Sequence, residues 1–61
     1  MKVKIEFNID NAAYREDEGS PSWPAVALAI KKVAGCFELG VTEGNIIDAN
    51  GNKVGSYRVT R

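Results

Sequence analysis

The chain reads as an α+β domain of β-α-β-β order, a three-stranded antiparallel sheet with one helix packed on one face. Three observations predict this. Lys2 to Ile9 alternates strictly between polar and apolar residues, the mark of a strand with one wet face. Trp23 to Leu39 carries apolar side chains at helical spacing. Asn50-Gly51 is the strongest two-residue signal for a tight hairpin turn.

In the first strand Val3, Ile5, Phe7 and Ile9 fall on one face, and Lys2, Lys4, Glu6 and Asn8 on the other. From Asn11 to Pro21 periodicity is lost, and Arg15, Glu16, Asp17, Glu18, Gly19 and Ser20 predict an exposed, mobile loop. Ser22 stands at the N-cap of the helix, with Pro24 in the first turn, where a missing N–H costs nothing. Gly40 supplies the left-handed residue that ends many helices.

Trp23, Val26, Ile30, Val33 and Phe37 form the stripe expected to pack on the sheet, with Ala27 and Ala34 beside it. Opposite runs a second apolar stripe, Leu28, Gly35 and Leu39, widened by Ala25 and Cys36, with Lys32 its only charge. A helix apolar all round is normally covered on both sides, so the second stripe asks for another surface. Ala25, Leu28, Lys32, Gly35, Cys36 and Leu39 are therefore the expected protein interface. Gly35 costs about 1 kcal/mol inside a helix relative to Ala, a local weakness unless another backbone approaches there.

Counting outward from Asn50-Gly51 pairs Asp48 with Lys53, Ile47 with Val54 and Glu43 with Arg58. A bulge at Gly55-Ser56 would bring Val54, Tyr57 and Val59 to the core face together. The handedness of crossover connections puts the last strand in the middle, antiparallel to both neighbours. The expected core is Val3, Ile5, Phe7, Val26, Ile30, Val33, Phe37, Ile47, Tyr57 and Val59.

The 61 residues form one domain, 1–61, near the lower size limit for folding without disulfides, metal or partners. Eight basic and eight acidic residues cancel, so no strong field steers the chain to nucleic acid or anionic lipid. One cysteine excludes an internal disulfide framework and fits a reducing compartment, and there is no histidine. No apolar run approaches a membrane span, so the cytoplasm is the expected location.

Candidate chemistry is sparse. Asp48 to Asn52 has oxygen side chains at alternate positions, like the start of a calcium loop. The bidentate Glu such a loop needs at its twelfth position is Val59 here, and a hairpin explains every residue without metal. Cys36 has no histidine to activate it and only Lys32 as a nearby base. Glu16, Asp17 and Glu18 form an acidic cluster that could face a basic partner, and Tyr14 beside it is the expected surface aromatic. No catalytic residue, metal site, cofactor or small-molecule substrate is expected.

Lys2 to Tyr14, with Phe7-Asn8-Ile9-Asp10-Asn11-Ala12-Ala13-Tyr14 at its end, and Asp48-Ala49-Asn50-Gly51-Asn52-Lys53-Val54-Gly55 together resemble a family of very small bacteriophage and prophage proteins. The resemblance spans nearly the whole chain and implies phage origin and this fold, with no function attached. Family members tend to carry charged residues on the outer helix face, where this chain has Ala25, Leu28, Gly35, Cys36 and Leu39. The expectation is a non-catalytic accessory protein of the host cytoplasm, binding or inhibiting a host protein such as a defence complex, and homodimeric through the outer stripe. The alternative is a self-assembling structural or virion-associated module.

Overall fold

The computed structural model describes residues 1–16 and 19–61. In chain order these form β1 (Lys2–Phe7), a 3-10 turn (Ala12–Tyr14), α1 (Trp23–Glu38), β2 (Gly44–Ile47) and β3 (Lys53–Thr60). The sheet order is β1-β3-β2, with β3 central and antiparallel to both neighbours, as the sequence predicts.

The β1–β3 register runs unbroken from Lys2 opposite Thr60 to Phe7 opposite Gly55. Opposed residues share a side of the sheet, so Val3, Ile5 and Phe7 lie on the same face as Tyr57 and Val59. Gly55 must be glycine. A Cβ there would collide with the Glu6 carbonyl oxygen and the Phe7 Cα.

The hairpin keeps the expected register from Gly44 to Ile46 and departs from it only beside the turn. Gly44 faces Tyr57 and Ile46 faces Gly55, but Ile47 faces Lys53, so Val54 bulges without a β2 partner. Asp48 does not pair with Lys53, nor Ile47 with Val54. The bulge lies one residue before the expected place, and it is Ile46, not Ile47, that enters the core. The turn also differs. Asn50 keeps a negative φ, and only Gly51, at +85°, is left-handed. A type I′ turn needs both central residues left-handed. Instead Ala49, Asn50 and Gly51 span the strands, closed by Asp48 N–H to Asn52 O (2.9 Å) and Gly51 N–H to Asp48 O (3.1 Å). The cause is the Asp48 carboxylate, which accepts the Asn50 and Asn52 N–H groups and so templates the longer turn.

The hydroxyl of Ser22 makes no capping bond. Its backbone does the work: the carbonyl accepts Val26 N–H at 3.1 Å, and the N–H donates to Tyr14 O at 2.7 Å, fastening the helix to the 3-10 turn. The C-terminus closes with Gly40 at φ +80°, Gly40 N–H on Phe37 O and Val41 N–H on Cys36 O, both 2.9 Å. That is the paired-bond stop of a Schellman motif.

Tyr14, Ala29, Val33, Ile46 and Tyr57 are the buried core, with Phe7, Ile9, Ala13, Ala25, Val26, Cys36, Phe37 and Val54 against it. The helix is thus turned relative to the expected inner stripe: Val26, Val33 and Phe37 face inward, while Trp23 and Ile30 stand exposed. Two tyrosines explain the turn. Tyr14 and Tyr57 fill the space under the helix, so the small Ala25, Ala29 and Cys36 face them and leave room for their rings. Val3, Ile5 and Ile47, also expected in the core, are exposed, and Val59 is half-buried.

The helix covers the sheet unevenly. Its first turn is tied to Tyr14, whose ring lies 5.8 Å from Phe7, and its last turn sets Phe37 5.7 Å from Tyr57. The Val3–Val59 and Lys2–Thr60 pairs lie past that end, a two-stranded overhang in a molecule 40 Å long and 19 × 18 Å across. Sideways, Lys32 and Cys36 lean over Ile46 and Ile47 of β2. With about 3.6 residues per turn, the opposite flank, Trp23, Ile30 and Ala34, looks toward the β1 side.

Candidate functional site

The expected interface stripe divides. Leu28 and Leu39 are exposed, Leu39 at 84 %. Ala25 and Cys36 instead pack on the core, drawn inward by the helix rotation. Lys32 rims a cleft beside β2. A methyl group at Gly35 would meet nothing within 4 Å, so among the described residues no backbone from outside the helix approaches there. The rotation that buries Ala25 and Cys36 turns out Trp23, 64 % exposed, and Ile30. The outer helix thus carries two apolar flanks, Leu28 with Leu39 and Trp23 with Ile30, separated by the exposed Lys31 and Glu38.

Between α1 and β2 lies a cleft of about 200 Å³ lined by Ala29, Lys32, Val33, Cys36, Ile46 and Tyr57, among others. Ligand pockets usually hold about 300–1,000 Å³. Hydrogen bonding to Cys36, then burial, pushes the Tyr57 phenol above its ordinary range, so it stays protonated near neutral pH. The cleft offers a phenol, a thiol and an ammonium at its rim, and no carboxylate or imidazole.

The densest polar cluster lies at the hairpin tip. The buried Asp48 carboxylate accepts Asn50 N–H and Asn52 N–H at 2.9 Å each, Asn11 Nδ2 at 2.6 Å and Asn52 Nδ2 at 3.5 Å. The Asn52 backbone N–H contributes most to lowering its pKa; burial opposes, and the bonds from Asn50 N–H and from the Asn52 and Asn11 side chains add to the lowering. The Asn11 Oδ1 is buried without a partner. Tyr14 packs nearby at 4 % exposure, its pKa raised by burial and then by the Asp48 charge. The expected surface role of Tyr14 is therefore corrected: a 3-10 turn points the ring into the core. Asp10-Asn11-Ala12-Ala13-Tyr14 and Asp48-Ala49-Asn50-Gly51-Asn52, distant in sequence, clasp each other here. The Asp-x-Asn-x-Asn spacing, which suits a carboxylate capping its own turn, is the signal that could have revealed this.

Of the acidic cluster, Glu16 is exposed and its N–H bonds Ser20 O at 2.8 Å. Asp17 and Glu18 lie outside the described residues. Arg15 Nε donates to Asp10 O at 2.8 Å, and its guanidinium pairs with the Asp10 carboxylate at 3.8 Å.

Comparison with known proteins returns no match, whether to a family model, a curated protein or a solved structure. Among the described residues no three His, Cys, Asp or Glu side chains gather at one point, and no helix is long and apolar enough to cross a membrane.

Proposed function

We propose that this protein acts by protein–protein contact, without catalysis, as a phage-type accessory protein that binds a host protein in the host cytoplasm. Inhibition of a defence complex is the outcome that suits such a protein. The observation that carries this reading is the apolar outer helix: Trp23, Leu28, Ile30 and Leu39 are all exposed on a chain this small. Each leucine would gain roughly 1.5–3 kcal/mol from full burial. Trp is also the side chain most favoured as an interface anchor. The resemblance of the two clasped motifs to small phage proteins supports a bacterial partner.

The test is affinity capture from bacterial lysate with three baits: the native chain, a Trp23→Ala/Leu28→Glu/Leu39→Glu variant, and Lys53→Gln at the hairpin as control. The expected result is a defined protein held by the native chain and the control and lost from the helix variant, whose circular dichroism stays native. Equal capture by all three baits, or none by any, would overturn the reading.

A further inference from the structure

We infer that β1 is a self-pairing edge: two copies join antiparallel through β1, about a two-fold axis at Ile5, into one continuous six-stranded sheet. This goes beyond the contact reading above and uses a different surface, so the two stand or fall separately.

The first observation is where the backbone groups point. Asn8 N–H donates to Val54 O at 2.8 Å, in step with the β1–β3 register. Hydrogen-bonded pairs alternate along an antiparallel ladder, so Lys2, Lys4, Glu6 and Asn8 bond inward to β3. The N–H and C=O groups of Val3, Ile5 and Phe7 then project from the open edge, where no described residue meets them.

The second observation is self-complementarity. A register centred on Ile5 sets Ile5 against its own copy and Val3 against Phe7 on the helix face. On the other face it sets Lys4 against Glu6, twice. Within one chain Lys4 faces Arg58, and the only ion pair among the described residues is Arg15–Asp10. The Glu6 of each copy would arrive beside the unpaired positive couple of the other. Centring one residue earlier would oppose Lys4 to Lys4. Edge lysines normally blunt strand pairing; here a copy of the same strand, and not an arbitrary one, answers both charges at once.

The third is area. The chain exposes 4631 Å², whereas a folded chain of this mass is expected to expose about 3,900 Å². The excess, about 700 Å², approaches the roughly 800 Å² per partner of a standard interface. Val3, 60 % exposed, and Ile5, 40 % exposed, are the apolar side chains that β1 itself would bury there. In the paired sheet the Val3 overhang of each copy runs beside the Phe7 end of the other, and the interface is isologous as a two-fold requires.

The test is sedimentation equilibrium from micromolar to millimolar concentration. The native chain should show twice its 6.6 kDa mass. Lys4→Glu alone and Glu6→Lys alone should each weaken association by about tenfold or more, and the double exchange should restore it to within a few-fold. Both side chains are exposed, so circular dichroism should stay native throughout. On the unmodified protein, amide exchange at Val3, Ile5 and Phe7 should slow as concentration rises. A monomer over the whole range, or a dimer indifferent to both single exchanges, would overturn the inference. So would a dimer that Leu28→Glu/Leu39→Glu dissociates, since the copies would then meet through their helices.

Discussion

The two ends of the sheet are built differently. At the hairpin tip, Asn11, Tyr14, Asp48, Asn50 and Asn52 close on one another from separate parts of the chain, and the helix start is bonded into the same knot. At the far end Val3 and Val59 sit on a two-stranded ribbon past the last helical turn. Both ends carry apolar side chains on the helix face, yet only one is covered. The described residues hold a single α-helix, and the clasp fastens it over one half of the sheet.

The largest effect should come from comparing two isoleucines. Ile46→Ala empties the covered half and should cost about 2–5 kcal/mol, enough to unfold a domain of this size. Ile30→Ala, on the exposed flank, should cost less than about 1 kcal/mol in dilute urea titrations. A reversed order would mean that the helix faces the sheet with its other side. Next comes pH. The folded pKa of Asp48 is lowered, so its contribution is complete above the unfolded value of about 3.9 and is lost as pH falls through the folded one. Melting temperature should therefore drop below about pH 4 in the native chain. Asp48→Asn should start lower at neutral pH and fall less on acidification. An unchanged acid limb would remove the clasp from its central place. The smallest effect should be a gain: Gly35→Ala, into open space, should stabilise the helix by up to about 1 kcal/mol in the same titrations. A loss there would reveal a close neighbour, such as a second copy over the helix.

Element order, strand order and helix limits were legible because the alternation of Lys2 to Ile9 and the Gly40 stop are local signals. The inward face of the helix was not. Apolar residues all round leave the phase undetermined, and the choice fell to the bulk of Tyr14 and Tyr57 beneath it. Tyr14 belonged to no periodic pattern, so nothing in the spacing announced a core ring. The inward placement of Ile46 over Ile47 hangs on a single unpaired residue, Val54, and adjacent isoleucines give no hint of it. Of the expected interface, Leu28 and Leu39 stand on the surface, while Ala25 and Cys36 followed the helix rotation inward.

The bond from Asn11 to Asp48 spans 37 positions and shares no residue with the outward side of the helix. Selection can therefore rewrite Trp23, Leu28, Ile30 and Leu39 without disturbing the knot that holds the helix down. Such a chain is a frame with an exchangeable face, whose outer surface can change faster than its shape.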